Sequence, residues 1–210
     1  MNAFAKLTVA LALPLVLINV FGDIVAGIWL AVLREWRLLG YGLAAALLGG
    51  FVLTIALVLA YLLFDAPAAS LLKKGHKVAS CVFGFLSLCL TLSLLNYWCL
   101  TVFLFFVERA DQHSLIPALL WSYGAAMAPV AWLAQKGGRA GNEYETVTSF
   151  FLQLTYIFVM LATLVSGLSP AVAGFPLFGI GTLVALVIEV RMAVEAYRAA
   201  SRTTGTGALS

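Results

Sequence analysis

Charge is what this chain has least of. Asp, Glu, Lys and Arg make up 10% of its 210 residues, where a soluble domain carries about 25%. Apolar residues make up 63%. A water-soluble fold has no way to hide that much apolar surface, and a lipid-embedded one has no need to. The composition predicts an all-α integral membrane protein, because lipid cannot satisfy the backbone of an open strand.

Histidine is nearly missing as well. The two present, His76 and His113, are expected on opposite sides of the bilayer. That excludes a bis-histidine haem and an intramembrane Ser–His or His–Glu site. No P-loop, GxSxG, HExxH or paired-carboxylate motif occurs. Cys81, Cys89 and Cys99 are 8 and 10 residues apart in one apolar run, with no CxxC. They read as packing thiols, not as a disulfide framework or a metal site. No catalytic residue, cofactor or metal is expected, and enzymatic activity is not the favoured reading. Long polar stretches are lacking too. The longest interval between apolar runs, Asp65–Lys77, has 13 residues, which leaves no room for a soluble domain. Lys and Arg sit in these short loops, so the net charge of +3 implies no nucleic-acid partner.

What fills the chain is six apolar runs: Leu7–Leu33, Leu38–Phe64, Val78–Val107, Ser114–Ala134, Thr146–Leu168 and Ala171–Val190. Crossing ~30 Å of hydrocarbon takes about 20 helical residues, so each run qualifies. The first three are 27, 27 and 30 residues long and should tilt or project beyond the lipid. The first run is also too long for a signal peptide, whose apolar core spans about 7–15 residues. Six spans with both termini in the cytoplasm put nine Lys and Arg inside and three outside. The positive-inside rule favours that arrangement. The expected organisation is one six-helix domain over residues 1–190 and a cytoplasmic tail over residues 191–210, amphipathic at first (Arg191, Glu195, Arg198, Arg202) and then disordered. The setting is a bacterial-type inner membrane. Pro14 and Trp29 share a 15-residue spacing with Pro117 and Trp132, which raises a 3+3 inverted repeat as an idea for the architecture.

A few polar residues stand inside these runs. Asp23 is the one acid well within a span. A carboxylate there needs a partner, a water-filled cavity or a proton. Asn19 lies four residues earlier on the same helix face, and Asn96 stands at matching depth in the third run. In the fifth run Thr146, Ser149, Gln153, Tyr156, Met160, Thr163 and Gly167 recur at helical spacing as a polar stripe. Asp23, Asn19, Asn96, Gln153 and Tyr156 are therefore the candidate lining of a substrate or ion path, against the plainer reading of hydrogen bonds that pack helices. Gly42, Ala46 and Gly50 repeat every fourth residue and read as a helix-packing seam, within one chain or between protomers. Pro14, Pro129 and Pro176 interrupt spans and free carbonyls. The outer loop from Glu108 to His113 gathers charge without a metal-ligand spacing.

Two functions fit these residues. One is a small transporter or channel, proton- or cation-linked, working through Asp23. The other is a non-catalytic membrane subunit, assembly factor or regulator acting through helix contacts. The bilayer is the certain partner, and a homo-oligomer or a membrane partner protein is expected beside it.

Overall fold

The computed structural model describes residues 3–137, 142–166 and 176–188, together with Val190, Arg191 and Val194. Among these residues every regular element is helical: α1 (Ala3–Val32), α2 (Trp36–Lys73), α3 (Lys77–Arg109), α4 (Leu115–Gly137), α5 (Asn142–Ser166) and α6 (Pro176–Ile188). Three of them, α2, α3 and α4, are long and apolar enough to cross a membrane. The apolar stretches described in the others are shorter: Val20–Val32, Phe150–Val165 and Pro176–Ile188. The tail from residue 195 onward lies outside the described residues.

One expectation is corrected. Asp65–Lys73 is not loop; α2 continues through it for 38 residues in all. The helix runs on past Asp65 and Pro67. A proline ring clashes with the carbonyl four residues back and donates no N–H. A π-turn over Tyr61–Asp65 precedes it, with the Ala66 N–H bonded to the Tyr61 carbonyl five residues back. The wider turn lets the helix pass through Pro67 without a break. The hairpin to α3 is then closed by a Schellman turn. His76 N–H donates to the Leu71 carbonyl and Gly75 N–H to the Leu72 carbonyl, with Gly75 at φ 83°. That is the left-handed position that glycine occupies without strain. Ser80 Oγ donates to the Ala68 carbonyl at 2.8 Å and ties the two helices together just below the turn.

The same turn ends α1, with a different residue in the strained seat. Glu35 N–H donates to the Leu30 carbonyl and Arg34 N–H to the Ala31 carbonyl, and Arg34 sits at φ 63°.

Helix α4 is the centre of the bundle and packs against α1, α2, α3 and α5. Pro117, Ala118, Leu119 and the stretch Ser122–Met127 are all buried, whereas α2 leaves most of its apolar side chains exposed. This explains why the fourth run is the least apolar by sequence. It faces protein, so it carries small and hydroxylated residues where its neighbours carry Leu and Phe. In lipid no hydrophobic force draws helices together, and close backbone approach must serve instead. Two indoles exploit it. Trp121 of α4 lies on Gly42 of α2, where a Cβ would collide with it, and its Nε1 donates to the Leu39 carbonyl at 3.4 Å. Trp98 of α3 lies in the same way on Gly49 and donates to the Ala126 carbonyl at 3.2 Å. Of the small-residue series in α2, Gly42 is thus buried beneath Trp121, Ala46 is half-buried, and Gly50 opens onto free space. Gly49, outside that series, carries the second contact.

Arg34→Gly should raise stability in detergent by roughly 1 kcal/mol, the cost of a side chain in the left-handed region, read as a higher thermal midpoint. Gly50→Ala should also stabilise, by about 0.5–1 kcal/mol, because it removes backbone freedom without a clash. Gly42→Ala should destabilise by about 1–3 kcal/mol through overpacking. If Gly42→Ala and Gly50→Ala behave alike, the indole does not hold the seam as described.

Candidate functional site

Asp23 lies in the C-terminal half of α1 and meets α4 at Gly124. A Cβ added at Gly124 would fall on the carboxylate. Glycine at this position is what lets an acid lie directly on the backbone of a neighbouring helix. Oδ1 of Asp23 is buried and has no hydrogen-bond partner among the described residues.

The residues flanking Gly124 open a second layer of polar groups. Tyr123 donates its hydroxyl hydrogen to Oε1 of Gln153 in α5 at 3.2 Å. Ser122 Oγ donates to the Leu119 carbonyl at 2.7 Å. Its 2.8 Å contact with the Tyr156 hydroxyl is therefore donated by the tyrosine, since a serine hydroxyl has one hydrogen to give. Both tyrosines stand within electrostatic range of Asp23. Their rings are 5.4 Å apart between centroids. Tyr156 is fully buried and is also met edge-on by Phe103 of α3 at 5.8 Å and by Phe178 of α6 at 5.9 Å. An aromatic collar contributed by four helices thus encloses the hydroxyls. Gly181 of α6 lies directly beneath Thr155, which closes α6 onto the same region.

The proposed path residues are distributed as follows. Asp23, Gln153 and Tyr156 share one region, joined through Tyr123 and Ser122 of α4. Asn96 is buried in α3; its Nδ2 donates to the Leu92 carbonyl at 2.9 Å, and its Oδ1 is a second buried acceptor with no described partner. Among the described residues no hydrogen bond joins Asn96 to Asp23. The side chain of Asn19 lies outside the described residues, as do those of Thr146 and Ser149 in the stripe. Thr163 turns back onto the Val159 carbonyl at 2.9 Å. Ser122, Tyr123 and Gly124 escaped the sequence reading, though the signal was there: three consecutive polar or minimal residues in mid-span, in the least apolar run.

The collected groups share one chemical property. The hydroxyl hydrogens of Tyr123, Tyr156 and Ser122 are all committed, so what these oxygens can still offer is lone pairs. Asp23 Oδ1 and Asn96 Oδ1 are acceptors as well. A buried set of acceptors without a free hydroxyl donor suits a positive charge or a proton, and an unpartnered buried acceptor costs energy until one arrives. Among the described residues no group of three or more His, Cys, Asp or Glu could hold a metal ion. Comparison with protein-family models, with curated proteins and with solved structures finds no match.

A double-mutant cycle on Ser122→Ala and Tyr156→Phe should return a coupling of about 0.6 kcal/mol, the usual worth of one interhelical hydrogen bond in a membrane protein. Thermal unfolding of the four proteins measures it. A coupling indistinguishable from zero would mean that the two hydroxyls do not form the bond described.

Proposed function

We propose that the chain is a multi-pass membrane protein of six spans, with both termini on the cytoplasmic side, and that it is a small proton- or cation-linked transporter or channel centred on Asp23. The observation that carries the reading is the carboxylate seated on Gly124 beside hydroxyls whose hydrogens point elsewhere. An ionisable side chain at that depth is costly to keep. Helix packing alone calls for no acid, since Ser122, Tyr123, Gln153 and Tyr156 already bond across α4 and α5. In this role Asp23 receives the proton or cation, and Gly124 holds the carboxylate in position. The lone pairs of Tyr123 and Tyr156 extend the acceptor surface along the collar. Nine inward-side basic residues against three support the orientation.

The second reading, a non-catalytic subunit or regulator, draws on the internal saturation of the same network. Hydrogen-bonded hydroxyls and indoles fixed on glycines are also what a rigid scaffold would need.

Flux through proteoliposomes separates the two. The purified chain, reconstituted in neutral lipid, should carry protons, sodium or potassium down an imposed gradient. Asp23→Asn should reduce that flux at least ten-fold while the thermal midpoint stays within a few degrees of the parent. If none of the three ions moves, or if the variant conducts like the parent, the transport reading is wrong.

A further inference from the structure

The two ends of α3 carry charge of different kinds. The helix spans Lys77–Arg109, and between Lys77 and Glu108 it has no Asp, Glu, Lys or Arg. Its 33 residues measure about 50 Å at ~1.5 Å each. A bilayer with its headgroups is about 40–45 Å thick, and spans lean by about 20° on average. A lean of that size brings α3 close to that thickness. Lys77 then stands among the headgroups of one leaflet and Arg109 among those of the other.

At the Arg109 end the charges cancel. Arg34, Arg37 and Arg109 are matched in number by Glu35, Glu108 and Asp111. The Arg109 guanidinium is folded back over the Phe105 ring, 3.8 Å from its centroid, and donates to the Phe105 carbonyl at 3.3 Å. At the Lys77 end nothing cancels. Lys73, Lys74 and Lys77 stand within five residues, all exposed, with an exposed His76 among them. The nearest acids along the chain are Asp65, eight residues before Lys73, and Glu108, 31 residues after Lys77. Among the described residues none of the three lysines is held in an ion pair.

These lysines are mounted on a fixed frame. The N–H groups of Lys74, Gly75, His76 and Lys77 each donate to a nearby carbonyl, and Ser80 Oγ bonds Ala68 across the hairpin. The surface is apolar right up to them. Leu72 and Val78, next to Lys73 and Lys77 in sequence, are 56% and 80% exposed. In a membrane such side chains are covered by acyl chains, and the lysine stem lets the ammonium snorkel from them to the phosphate level. Positive charge directly beside lipid-facing apolar surface is the complement of an anionic phospholipid, which joins a phosphate to acyl chains.

Resting on the membrane placement proposed above but not on the role of Asp23, we propose that the α2–α3 turn is a binding site for an anionic phospholipid, with Lys73, Lys74 and Lys77 around its phosphate and Leu72 and Val78 against its chains. A zwitterionic headgroup carries its own ammonium and meets the three lysines with no net attraction. An acidic protein would answer the lysines and leave Leu72 and Val78 unused, because on this placement they face lipid.

The test is native mass spectrometry of the full chain in detergent, with phosphatidylglycerol and phosphatidylcholine of the same acyl chains added in equal amount. The expected result is at least ten-fold more phosphatidylglycerol than phosphatidylcholine retained per chain. The preference should fall to about parity in a variant carrying Lys73→Gln, Lys74→Gln and Lys77→Gln, with helicity by circular dichroism matching the parent. It should persist when the same lysines become arginine, and when Arg34→Gln and Arg37→Gln are made at the other end. Equal retention of the two lipids, a preference that survives the glutamine variant, one that vanishes in the Arg34 and Arg37 variant, or displacement of the lipid by an equal concentration of inorganic phosphate would each overturn the proposal while leaving the membrane placement standing. A chain that stays soluble and monomeric with neither detergent nor lipid would overturn both.

Discussion

Four bulky or polar side chains, each resting on a glycine of another helix, hold this bundle together. Trp121 lies on Gly42, Trp98 on Gly49, Asp23 on Gly124 and Thr155 on Gly181. The pairs join α4 to α2, α3 to α2, α1 to α4 and α5 to α6. Inside lipid, burial of apolar surface gives helices no reason to associate, so contact rests on shape and on a few hydrogen bonds. A missing Cβ supplies the shape. In two of the pairs the seated group then finds a backbone carbonyl, 3.2 Å away for Trp98 and 3.4 Å for Trp121. In the third, the seated group is the carboxylate on which the proposed chemistry depends. The packing rule of the bundle and the construction of its candidate site are therefore one rule applied to different side chains.

That rule governs how far the sequence could be read. Helical class and apolar span follow from composition alone, because lipid leaves the backbone no other choice. The polarity of Asp23, Gln153 and Tyr156 stands out against their surroundings, so they could be singled out one by one. Their grouping could not be read, since it runs through Ser122 and Tyr123, ordinary residues in an ordinary-looking run. Nor could Gly49 be told from Gly50. Periodicity favours the series Gly42, Ala46, Gly50, whereas the partner's indole selects Gly42 and Gly49, two turns apart on the buried face. Small-residue spacing shows that a helix can be approached closely. Which face is approached depends on the neighbour. The loop expected at Asp65–Lys77 failed because a break in apolar character is not a break in the helix: the turn before Pro67 widens and α2 continues to Lys73.

The two regions of interest differ in how finished they are. Around Tyr156 the hydroxyls and rings are mutually satisfied; among the described residues the buried side-chain oxygens without a hydrogen-bond partner are Asp23 Oδ1 and, in α3, Asn96 Oδ1. At the hairpin tip the backbone is finished by a Schellman turn while the outer face of α3 carries side chains with nothing against them.

The π-turn at Tyr61–Asp65 has a geometric consequence for that hairpin. A single π-turn is equivalent to one residue inserted into an α-helix, and each α-helical residue advances the azimuth by about 100°. Everything from Ala66 to Lys73 is therefore rotated by roughly that angle from where an unbroken α-helix would have put it. The bulge acts as a phase shifter. It keeps the upper part of α2 in register with the tryptophans and independently sets the compass bearing of the lysines at the far end. Loss of one residue within it would leave both halves helical and the composition almost unchanged, yet would swing the basic end of the hairpin to a different side of the molecule.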